Sequence, residues 1–111
     1  MEKKVRQVIR SKHLDFDALE IYHYGVETFG EEFAKLFLEE LKHSINGLSY
    51  QFNFYAECRH LETKTQIYRN IILGKYLIIY RIRASKIEVL RVLHGSQSPK
   101  IIKATKKIKT K

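Results

Sequence analysis

Four arginines, Arg69, Arg81, Arg83 and Arg91, run through the most apolar stretch of the chain, "IYRNIILGKYLIIYRIRASKIEVLRVLHG" (67–95), which closes on His94 and Gly95. Guanidinium groups among aliphatic side chains suit contact chemistry, because a planar fork can grip an anion or anchor a partner's surface. His94 adds a group able to carry a proton near neutral pH. Elsewhere the chemistry is thinner. His13, His23, His43, His60 and His94 show no paired metal-ligand spacing and Cys58 has no second thiol, so neither a metal nor another cofactor is expected. Cys58 and His60 could form a nucleophile–base pair but read better as ordinary loop residues. Tyr50, Phe52, Phe54 and Tyr55 interleave with polar residues, a pattern that can stack nucleic-acid bases. The preferred reading is that they pin a long connection to the domain.

The elements that must position these groups fit one domain. The chain has 111 residues, 44% of them hydrophobic and 30% charged, enough for one modest core and too few for two. No apolar run approaches the roughly 20 residues that span a bilayer. The start, Met1-Glu-Lys-Lys-Val5, lacks the apolar stretch of a secretory signal. A single cysteine suits a reducing compartment, so the expected location is the cytoplasm. The net charge of +9 is uneven: "KIIKATKKIKTK" (100–111) holds six lysines and no acid, which leaves +3 for residues 1–99. Residues 1–99 therefore read as the single domain. Residues 100–111 read as a flexible tail whose Lys100, Lys103, Lys106, Lys107, Lys109 and Lys111 would attract nucleic acid or an acidic partner.

Val5, Val8 and Ile9 predict a first strand over 3–10. In "HLDFDALEIYHYGVETFG", Asp15 or Asp17 is the expected helix cap, and Leu19, Tyr22 and Val26 recur at helical spacing. Gly30 breaks this helix, and Phe33, Phe37, Leu41, Ile45 and Leu48 form the apolar stripe of a second. The two should pack as an antiparallel hairpin whose core includes Tyr22, Tyr24, Phe29, Phe33 and Phe37. Three strands follow, with Gly74-Lys75 as a tight primed turn and Ala84-Ser85 as the next. The order β-αα-βββ gives an α+β fold with an antiparallel sheet.

Pairing Leu73 with Tyr76 sets Arg69 opposite Tyr80, and pairing Arg83 with Lys86 sets Tyr80 opposite Val89 and Ile78 opposite Arg91. One face then carries Ile71, Leu73, Tyr76, Ile78, Tyr80, Ile87, Val89 and Leu93, with Arg69 and Arg91 near its margins, and takes the helices. The other carries Tyr68, Asn70, Ile72, Leu77, Ile79, Arg81, Arg83, Glu88, Leu90, Val92 and His94. One helical hairpin covers one face, so this second face is expected to lie open and to bind a protein partner through its aliphatics and arginines.

"GKYLIIYRI" (74–82) and "IEVLRVLHG" (87–95), behind the helical "IYHYGVETFGEEFAKLFLEEL", resemble the RelE/ParE superfamily of toxins from type II toxin–antitoxin systems, and within it the ParE branch. The resemblance covers roughly residues 3–98. It implies a cytoplasmic toxin held in a heteromeric complex by a cognate antitoxin. ParE-like members are associated with poisoning of DNA gyrase, and RelE-like members cut messenger RNA on the ribosome. In the RelE branch an Arg commonly stands where this sequence has Leu77, and leucine can neither stabilise a phosphorane nor move a proton. A ribonuclease here would rest on His94 with Arg81 as electrostatic helper. A gyrase-binding, non-enzymatic toxin is thus the first expectation and a ribosome-dependent endoribonuclease the second. A third is a retired toxin that keeps only antitoxin binding or a part in DNA autoregulation.

Overall fold

The computed structural model describes residues 5–110. Its elements are β1 (Gln7–Arg10), α1 (Lys12–Phe29), α2 (Glu31–Gln51), β2 (Tyr68–Leu73), β3 (Tyr76–Ile82), β4 (Lys86–His94) and α3 (Pro99–Ala104), followed by a single 3₁₀ turn at Thr105–Lys107. The order is the expected β-αα-βββ, extended by a C-terminal helix. Of the strand expected over 3–10 only Gln7–Arg10 is extended and paired, and Lys3 and Lys4 lie outside the described residues.

The sheet order is β1-β4-β3-β2. β2 and β3 pair antiparallel with Leu73 opposite Tyr76 and Arg69 opposite Tyr80, as the turn chemistry predicts. Gly74 has φ 59°, the left-handed value a primed hairpin turn needs at its first position. β1 joins the other edge parallel to β4, so the sheet is mixed. Its position follows from chain length: two helices separate β1 from β2, long enough to carry the chain across the whole sheet.

α1 starts earlier than Asp15 or Asp17 suggest. Ser11 is its cap, its Oγ accepting the Leu14 N–H at 3.0 Å and donating to the Leu90 carbonyl at 2.6 Å. One residue, Gly30, both ends α1 and begins α2. Its N–H bonds back to Gly25 and Val26, its carbonyl accepts from Ala34, and its φ of 100° is open only to glycine at low cost. So abrupt a joint folds the helices antiparallel, with Leu14 near the start of α1 packing beside Leu41, Ile45 and Leu48 near the end of α2.

The predicted α2 stripe holds at Leu41, Ile45 and Leu48, is half-buried at Phe37 and fails at Phe33, which is exposed. In α1, Leu19 is also exposed, and the buried positions are Leu14 and Asp17. The hairpin core sits against Ile71, Ile78, Tyr80, Ile87, Val89 and Val92 of the sheet. Burying one such aliphatic side chain contributes about 1.5–3 kcal/mol, which makes this face the main source of stability.

Candidate functional site

The strand arginines are structural. Arg81 is buried, its Nε donating to Glu88 Oε1 at 2.7 Å. Its terminal nitrogens reach the backbone carbonyls of Lys106 (3.2 Å) and Ile108 (2.9 Å). Burial opposes the charge on Arg81, but hydrogen bonds to Glu88 and Tyr68 outweigh it and raise the pKa of the guanidinium. Burial likewise disfavours the Glu88 carboxylate, yet hydrogen bonds from Arg81, Thr110 and Arg83 hold its pKa down at about 2. Arg69 staples the connection after α2 to the sheet through the carbonyls of Gln66, Asn53 and Tyr55 at 3.0–3.1 Å. Arg91 makes a two-pronged pair with Asp17 at 2.6 and 2.9 Å, and Asp17 also accepts the Val92 N–H, closing the β4 edge beyond the end of β1. Arg83 is the exception, with about half its side chain exposed beside Glu88.

The second face of the sheet is not open. Ile79 and Leu90 are fully buried, and with Tyr68 and Leu93 they pack under Cys58 and Leu61 of the connection and Ile102 and Ile108 of the C-terminal segment. The segment expected as a flexible tail is thus a strap. Ser98 caps α3, Pro99 occupies its first turn, and Ile102, Thr105 and Ile108 turn inward. Lys100, Lys103, Lys106, Lys107 and Lys109 stay exposed, and Lys111 lies outside the described residues. This cover is hard to read in the sequence because the lysines mask the three-residue spacing of Ile102, Thr105 and Ile108, whose middle member is polar. Of the residues expected on an open binding face, Ile79, Arg81, Leu90 and Val92 are buried, Leu77 is half-buried, and only Ile72, Arg83 and His94 reach solvent substantially.

A β-bulge explains the rest. Tyr80 pairs with Val89 as expected, but Ile79 pairs with Arg91 and Ile78 with Val92, which leaves Leu90 as the extra residue. One inserted residue exchanges the faces beyond it. Val92 therefore joins the helix side, Leu93 the strap side, and His94 lies edge-on to Tyr76 at 5.6 Å. His94 Nδ1 accepts the Ser96 N–H at 3.1 Å, so the proton of the neutral ring sits on Nε2.

His94 is one wall of an apolar groove of about 660 Å³ between the helical turn and the β2–β3 turn. Tyr24, Phe29, Phe33, Leu36, Phe37 and the acidic Glu40 line it from the helices, and Leu73, Lys75 and Tyr76 from the hairpin. Three of the five rings expected in the hairpin core are instead exposed lining, Tyr24, Phe29 and Phe33 being 59%, 61% and 56% exposed, whereas Tyr22 and Phe37 are half-buried and Phe37 packs against the core. A sequence signal exists in Phe33, Leu36 and Phe37, an i, i+3, i+4 set that forms a second apolar stripe beside the core stripe of α2. In the connection, Phe52 is buried and Tyr55 packs edge-on to Tyr80, so these two pin the segment as expected, whereas Phe54 is exposed. Cys58 is fully buried, and burial pushes its thiol up to about 11, which removes it as a nucleophile at neutral pH. Among the described residues no cluster of His, Cys, Asp or Glu could hold a metal, and no helix is long and apolar enough to cross a membrane.

Residues 8–99 match the family model of the ParE toxin of type II toxin–antitoxin systems (parDE). A solved chain from the chromosomal ParDE toxin–antitoxin system of P. aeruginosa has the same fold. The two superpose with a TM-score of 0.69 at 19% identity, covering 82% of this chain and 97% of that one. No curated protein matches.

Proposed function

Because the chain belongs to the ParE toxin family of type II toxin–antitoxin systems, we propose that it arrests growth by binding DNA gyrase, and that a cognate antitoxin silences it by occupying the aromatic groove. The observation that carries the choice of binding over RNA cleavage is the placement of Arg81. Phosphodiester cleavage needs a proton carrier and a charge stabiliser at one phosphate. Arg81 is committed to Glu88 and to two carbonyls of the strap. Glu88 and His94 are six residues apart on β4, about 20 Å at roughly 3.3 Å per residue, so Arg81 and His94 cannot serve one phosphate.

The groove supports the antitoxin half of the reading. It offers exposed rings and Leu36 on a chain of net charge +9, with Lys75 and His94 on one wall and Glu40 on the other. The amphipathic, acidic segment of an antitoxin fits both features, its apolar side chains on the rings and its carboxylates near Lys75. Aromatic lining residues are the kind that dominate binding energy at such a site.

The deciding experiment adds the purified protein to a gyrase supercoiling assay and to a ribosome-programmed messenger RNA. Supercoiling should stop while the transcript stays intact, and His94→Ala should leave the inhibition within a few-fold of wild type. Transcript cleavage on the ribosome that disappears with His94→Ala would establish the ribonuclease instead.

A further inference from the structure

The strap carries a feature that takes no part in the groove. Its inward residues, Ile102, Thr105 and Ile108, are buried, and among the described residues Lys100, Lys103, Lys106, Lys107 and Lys109 are exposed. The backbone beneath them is clamped by Arg81 at Lys106 and Ile108 and by the Thr110 hydroxyl on Glu88. The family match ends at residue 99, so this basic ridge lies almost wholly outside the matched residues. We propose that the exposed face of the strap binds the phosphate backbone of duplex DNA.

The charge is one-sided. Residues 98–111 contain no acid, and Arg83 and Lys86 extend the basic surface at the end of the strap. Three cations, Arg81, Arg83 and Lys86, surround the single Glu88 carboxylate there, so the junction itself remains positive. Geometry suits a duplex. Six residues of α3 at about 1.5 Å each and three of the 3₁₀ turn at about 2 Å each make a ridge roughly 15 Å long. Phosphates on one DNA strand advance by about 3.4 Å, so the ridge spans about four of them. Lysine is a mobile point charge that neutralises phosphate without reading bases, and residues 96–111 contain no aromatic ring to stack an unpaired base. A backbone already ordered by folding spares the conformational entropy that a loose tail would lose if binding ordered it.

The choice of DNA over RNA rests on the gyrase reading, since such a toxin works beside DNA. The test contains no gyrase, so the two readings fail separately. Fluorescence anisotropy of a short mixed-sequence DNA duplex is measured with the full chain across a salt series. Binding should weaken with salt at a log–log slope of about −4, from about 0.9 per neutralised phosphate. The triple variant Lys103→Gln, Lys106→Gln, Lys107→Gln should flatten that slope by about 3 while its melting temperature stays at the wild-type value, because all three side chains are exposed. Absence of wild-type binding, or a variant with the wild-type slope, overturns the proposal. So does tighter binding of an RNA duplex, of single-stranded DNA or of an acidic peptide than of the DNA duplex.

Discussion

At the scale of single residues, the arginines among the strand aliphatics are fasteners. The turn register sets Glu88 opposite Arg81 on the same face, as found, but it cannot reveal that the connection and the strap will close over the pair and bury it. Spacing along one chain does not encode what closes over it. Arg81→Leu leaves the Glu88 carboxylate buried with one cation fewer and frees two strap carbonyls. Breaking one side of a buried pair costs about 3–5 kcal/mol, so urea denaturation should register a loss of that size. Hydrogen exchange should show the strap amides deprotected first. Glu88 also sets an acid limit. Its pKa is lowered from the ordinary 4.5 to about 2, so its stabilising effect is complete above about 4.5 and is lost as pH falls through about 2. The stability difference between wild type and Glu88→Gln should accordingly be large at pH 6 and shrink steadily below pH 4.5, as urea midpoints across that range would record.

At the scale of elements, local chemistry predicts well wherever a turn fixes the geometry. Gly74-Lys75 sets the register of β2 on β3 correctly along the whole hairpin. It predicts poorly where a tertiary contact intervenes. The bulge at Leu90 is stabilised by Ser11, a residue far away in sequence whose hydroxyl caps both α1 and the Leu90 carbonyl. That single contact moves the start of α1 upstream of the acidic candidates and coincides with the face exchange that brings His94 to the groove. Gly30 is the element-scale test. Its φ of 100° is outside the range L residues hold comfortably, and nothing crowds a Cβ there, so strain alone is measured. Gly30→Ala should lower unfolding free energy by about 1–3 kcal/mol without altering the groove. Thermal melts of variant and wild type provide the check.

For the whole molecule, the fold is a sheet sealed on both faces, by the helical hairpin on one and by the connection and strap on the other. The β-αα-βββ plan was legible because periodicity and turns are local. The covered second face was not, because two isoleucines and a threonine among six lysines look like a solvated tail. With that face closed, Tyr24, Phe29, Phe33 and Leu36 form an exposed apolar cluster in the groove between the two turns, while Phe16, Leu19, Phe54 and Ile72 are exposed outside it, and the central claim is that this groove is where the molecule is bound. Calorimetric titration of the cognate antitoxin into Phe33→Asp tests it most directly. Phe33 is more than half exposed in the free protein, so the variant should fold with a melting temperature near wild type. A carboxylate stranded against Phe29 and Leu36 in the complex costs a few kcal/mol, so affinity should fall by at least about 100-fold. A folded Phe33→Asp that binds antitoxin as tightly as wild type would contradict the account.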